Sequence, residues 1–133
     1  MTPQAEPEIV EEIKVANQRF YDAFSDLDIA GMERVWENSE RVTCVHPGWS
    51  PLIGWEAVRL SWERIFHNTA LMQFQVRYLN VVVQGDFGYV TCVEGITSVV
   101  QGTATNFSTF ATNVFARYED GWRMTAHHAS QGG

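Results

Sequence analysis

The sequence predicts an α+β fold in which helices gather on one face of an antiparallel sheet. Two observations carry this. In the first half of the chain apolar residues recur at three- and four-residue steps, the period of a helix face. Beyond Met72, runs rich in Val, Thr, Phe and Tyr alternate with short turn sequences. A chain of 133 residues, 45% hydrophobic and 13% aromatic, suffices for one domain with its own core.

Taken in order, residues 1–7 read as a flexible lead-in and residues 8–131 as the single domain. Ile9, Ile13, Ala16, Phe20, Ala23, Phe24 and Leu27 form one buried helical stripe. Pro7 suits its first turn, and Glu8, Glu11 and Glu12 complement the positive end of the helix dipole. A second helix starts at Asp26 or Asp28 as cap and buries Ile29, Met32, Val35 and Trp36. Residues 41–46 form a short strand, which breaks through Gly48, Pro51 and Gly54. A third helix over 54–66 turns Trp55, Val58, Trp62, Ile65 and Phe66 to one face. Strands then cover 72–84, 88–101, 107–119 and 122–130, with turns at Gly85-Asp86, residues 102–106 and Asp120-Gly121. The strand 107–118 is apolar at both parities: Phe107, Ala111 and Phe115 on one face, Phe110, Val114 and Ala116 on the other. Helices cover one face, so the other calls for a second copy of the sheet and a homodimer.

Composition excludes several function classes. The formal charge of −7 and the lack of any basic cluster argue against nucleic acid and anionic membranes. No apolar run approaches the roughly 20 residues of a membrane span, and the acidic N-terminus is unlike a signal peptide. Cys44 and Cys92 lie in apolar runs and read as reduced thiols of a cytoplasmic protein. Lys14 is the single lysine, so the arginines are expected in fixed hydrogen bonds.

The chemistry concentrates in VTCVHPGWSPLIGWEAVRLSWERIF (42–66) and the ending DGWRMTAHHAS. His46 closes a strand before Pro47, at the mouth of an aromatic-lined cavity, where an imidazole can serve as acid or base. The alternative is a structural imidazole bonded to nearby backbone. His127 and His128 are neighbours on a strand and point to opposite faces, so one enters the cavity. Glu94 interrupts an apolar strand: it either pairs with Arg77 or Arg117 across the sheet or faces the pocket as an acid. Asn113 either bonds a ligand or stitches the sheet. Trp49, in a turn where core packing does not require it, is the better ligand contact among Trp49, Trp55 and Trp62. Cys44, His46 and a last-strand histidine could in principle suit zinc, but the spacing is a strand pair and not a ligand motif. No metal and no cofactor is expected.

The helix–strand–helix order, the segments VTCVHPGW, GWEAV, ATNVF and HHAS, and the ending DGWRMTAHHAS resemble the nuclear transport factor 2-like superfamily. Its members include SnoaL-like polyketide cyclases, ketosteroid isomerases and the calcium/calmodulin-dependent kinase II association domain. The resemblance covers residues 9–130. It implies a cone: a curved antiparallel sheet with three helices, from the N-terminal half, on its concave face. His46 before Pro47 resembles the position of the isomerases' acidic base. Their oxyanion tyrosine falls on Phe20 with Tyr21 beside it, and their second acidic donor falls near Asn113 or Val114. Lacking both donors, the chain is not expected to isomerise steroids. The association domain's strand arginine is replaced by Asn113, and its ending makes His128 the family-typical position. The expectation is a pocket protein for a small apolar organic ligand. His46 and His128 are its candidate catalytic groups, and Tyr21, Trp49, Trp62, Glu94, Asn113 and His127 line the pocket. The alternative is a non-catalytic dimerisation or accessory module, since this superfold hosts both.

Overall fold

The computed structural model describes residues 7–132, so apart from Pro7, which opens the first helix, the expected lead-in lies outside the described residues. The elements are α1 (Pro7–Ser25), α2 (Ile29–Val35), β1 (Thr43–Val45), β2 (Leu52–Ile53), α3 (Trp55–His67), β3 (Thr69–Gln84), β4 (Phe87–Val100), β5 (Thr103–Tyr118) and β6 (Gly121–Gln131). They form the α+β cone: three helices on the concave side of one six-stranded sheet of order β2-β1-β6-β5-β4-β3, open at both edges.

The four long strands make the expected antiparallel meander. The short β1 instead pairs parallel to β6, Cys44 facing His127, so the sheet is mixed. β1 arrives from the helical layer and not from a hairpin, which frees its direction. Two further details differ from the sequence expectation. β2, read as part of a loop, pairs with β1, but two residues between Pro51 and Gly54 are too short to show a period. The loop over 102–106 contracts to a tight turn at Gln101 (φ 49°) and Gly102 (φ 82°), and 103–106 extend β5. Those residues are exposed, beyond the reach of the helices, and carry no apolar signal.

Side-chain alternation then sets the site. On β4 the even residues Val90, Cys92, Glu94, Ile96 and Ser98 are buried towards the helices. Register extends this into rows across the concave face: Val81–Val90–Asn113–His127–Cys44, Tyr78–Cys92–Ala111–Ala129 and Val76–Glu94–Thr109–Gln131. Ile13, Phe20 and Phe24 of α1, Met32 of α2, and Val58 and Trp62 of α3 pack over them as the core. The outer face carries the intervening rows Val82–Tyr89–Val114–Ala126, Asn80–Thr91–Thr112–His128 and Arg77–Val93–Phe110–Ser130.

Candidate functional site

Beneath the turn that follows β1, a cavity of about 650 Å³ opens between α3 and the concave sheet. Phe24, Trp49, Ile65, Met72, Ile96 and Phe107 supply apolar wall, and His46, Glu94 and His127 supply titratable groups. A hollow of about 710 Å³ elsewhere is larger, but Gln73, Gln75, Thr97 and Asn106 wall it and it holds no titratable side chain.

Glu94 is 2% exposed and has no cation partner among the described residues. Neither expected arginine reaches it. Arg77 lies one residue out of phase on β3 and so on the outer face, and Arg117 lies against Glu12 at 3.8 Å. Two hydroxyls hold the carboxyl instead: Tyr21 Oη donates to Oε2 at 2.6 Å and Thr109 Oγ1 to Oε1 at 2.5 Å. Burial pushes the Glu94 carboxyl above its ordinary range, and the two hydroxyls oppose this. Burial, then the neighbouring Glu94 charge, keeps the Tyr21 phenol protonated well beyond its usual range.

Behind these groups runs a buried polar chain. Asn113 Nδ2 donates to Tyr21 Oη at 3.1 Å and to Asn17 Oδ1 at 2.8 Å. That fixes the amide orientation, assigned from the network, with Oδ1 turned to His127 Nδ1 at 2.6 Å. His127 therefore donates from Nδ1, and its Nε2 carries the lone pair. Desolvation, with a smaller push from His128, pulls His127 down to about 3, so the ring is neutral.

His46 ends β1 and lies 4% exposed, flanked by Trp49 and Trp62 at ring separations of 4.9 and 4.7 Å. Ser61 Oγ donates to Val58 O at 2.6 Å, so it accepts from His46 Nε2–H at 2.9 Å. Burial, and secondarily His127 with its ring 6.5 Å away, pulls His46 down to about 3 as well. The Cys44 thiol is raised far above its ordinary range by burial and then by Glu94. Among the described residues, no group of three or more His, Cys, Asp or Glu side chains is arranged to hold a metal.

Of the residues expected at a pocket, the structure brings His46, Trp49, Glu94 and His127 to the cavity wall. Tyr21 and Asn113 stand behind that wall, in the polar chain. Trp62 packs between Phe20, Phe24 and His46, and its indole N–H has no partner among the described residues. His128 is exposed in the outer row with Thr112, so it is His127 that enters the cone. His46 is a walled-in group, not a mouth residue, and its partner is a side chain and not backbone. Ser61 and Asn17 were missed, although each is a polar residue on an otherwise apolar helical stripe, a readable signal. Thr109 shares the parity of Asn113, which is a weaker one.

The SnoaL-like domain model matches residues 13–132. A solved structure named "putative dehydratase from the NTF2-like family", from Streptomyces avermitilis, is 37% identical. The match covers 93% of this chain and 96% of that one, with a TM-score of 0.87. A "putative calcium/calmodulin-dependent protein kinase type II association domain" from Thiobacillus denitrificans is 32% identical over 100% of both chains, with a TM-score of 0.81. The F-box protein SKIP8 of Arabidopsis thaliana is 29% identical over 114 residues, 86% of this chain; the chain spans about half, 47%, of that protein's length.

Proposed function

The chain belongs to the SnoaL-like domain family of NTF2-like proteins, and from that premise we propose that it is an acid/base enzyme. Its substrate is a small, largely apolar organic molecule, and its reaction moves a proton at a carbon beside a carbonyl. The observation that carries this is Glu94: a buried carboxyl without a cation, held by two hydroxyls, on the wall of an apolar cavity. A carboxyl raised by desolvation exchanges its proton nearer neutral pH than an exposed one.

Glu94, and not the expected His46, takes the basic role. A histidine pulled down to about 3 is a weak base. In the step proposed, the Glu94 carboxylate accepts a proton from the carbon next to a carbonyl, and the C–H electron pair becomes the C=C of an enolate. The resulting acid returns the proton to another carbon, as in isomerisation, or to a departing hydroxyl that leaves as water. His127, held by Asn113 with its Nε2 lone pair available, accepts a hydrogen bond from a substrate hydroxyl and orients it. The name "putative dehydratase" of one structural relative, a loss of water, is in keeping with the second of these outcomes.

The experiment is deuterium exchange into 2-tetralone in D2O, followed by proton NMR. Exchange above buffer that vanishes in Glu94→Gln supports the enzyme. Bound ketone with no exchange sinks it. The non-catalytic accessory module, the reading favoured by the similarity to an F-box protein, then takes its place.

A further inference from the structure

One cation lies on the cavity wall. Arg64, in the last turn of α3, lines the cavity and is exposed. The chain has 9 Lys and Arg against 16 Asp and Glu. Lys14, Arg34, Arg41, Arg59, Arg117 and Arg123 each have a carboxylate within 4.0 Å. Arg64, like Arg19 and Arg77, has none among the described residues, in a protein whose net charge is −7. The last turn of a helix favours cations in general, and His67 shares that turn, but among the described residues only Arg64 brings such a charge to the cavity.

The cavity thus carries, besides its histidines, two ionisable groups of opposite kind. Its wall holds Glu94, beside which a second negative charge is disfavoured. Where α3 ends it holds a free guanidinium, whose planar fork suits a carboxylate. Ile65, Met72, Ile96 and Phe107 line the same cavity. Resting on the acid/base reading of the same cavity, we infer that the substrate is an amphiphilic carboxylic acid. Its carboxylate sits at Arg64, its apolar body spans the cavity, and its reactive carbon meets Glu94. Arg64 is then a specificity residue that sets the direction in which the substrate enters.

Calorimetric titration with 2-naphthylacetate and its neutral analogue 2-naphthylacetamide tests this. The unmodified protein is expected to bind the acid roughly tenfold more tightly than the amide, the value of one charge-assisted pair. Arg64→Met should abolish that preference while leaving the amide within about twofold, and Arg64→Lys should restore part of it. Raising the salt concentration should weaken the acid alone. Equal affinities in the unmodified protein, or a preference that survives Arg64→Met, overturns the inference. Should only the amide bind, Arg64 loses its role and the acid/base pocket stands. Should neither bind, the inference falls, and the exchange experiment alone decides the acid/base reading.

Discussion

At the scale of single residues, Glu94 is where stability and activity are expected to diverge. Its carboxyl is raised in the folded state, so its burial costs stability as pH rises from about 4.5, the unfolded value, through the raised folded value. Glu94→Gln keeps the shape and removes the charge. Its thermal midpoint is therefore expected to exceed that of the unmodified protein at pH 8, with the gap closing towards pH 5, while proton exchange disappears. A midpoint lower at both pH values would show that the carboxylate stabilises the fold. Trp62 offers a second contrast. Trp62→Ala opens a core cavity and should cost roughly 3–5 kcal/mol. Trp62→Phe should cost clearly less, because the indole N–H it removes is a buried donor without a partner. Urea denaturation of the two variants measures the difference.

Among the elements, α1 packs closely on the sheet at Gly88 of β4. A Cβ built at Gly88 would meet Ile13 Cδ1 at 2.4 Å and Val82 O at 2.9 Å, and backbone cannot yield as a side chain can. Gly88→Ala is expected to lose roughly 1–3 kcal/mol by overpacking, read from the shift in the urea midpoint. A neutral result would mean that α1 slides on the sheet. The same joint matters to the site, because α1 delivers Tyr21 to Glu94 and Asn17 to Asn113. On α3, Arg59 ties Glu33 of α2 and Glu63, one of the fixed guanidinium bonds expected from the arginine-rich composition.

For the whole molecule, two outcomes are expected. His46 and His127 are buried neutral with folded values near 3, against about 6.5 unfolded. Unfolding therefore takes up protons below pH 6.5, and stability falls as pH drops from there towards 3, by up to about 1.4 kcal/mol per unit for each ring. Glu94 acts in the opposite sense over part of that range. His127→Gln should flatten the acid limb by about one proton in the pH dependence of the unfolding free energy; an unchanged limb would place the ring in water. The second outcome concerns the outer face, where Phe110 and Tyr89 are 48% and 38% exposed in rows with Val93, Val114 and Val82. Pairing with a second copy is proposed there, so light scattering should give a dimer and Phe110→Glu a monomer. A monomeric unmodified protein rules it out.

The sequence by itself determined the three helices, the four long strands and the buried face of each helix, because those follow from the 3.6- and 2-residue periods of local chemistry. It singled out Glu94 as a charge in an apolar strand and Trp49 as a tryptophan with no packing reason to be in its turn. Adjacent His127 and His128 told it that one ring enters the cone, while the choice between them waited on the register of β6 against β5 and β1. The tertiary structure decided the partners: Tyr21 and Thr109 for Glu94, Asn113 for His127 and Ser61 for His46. Those contacts join positions 14 to 73 residues apart. Only the stacking of rows across the sheet and the docking of helices on it bring such positions within hydrogen-bond reach, and no local period encodes that distance.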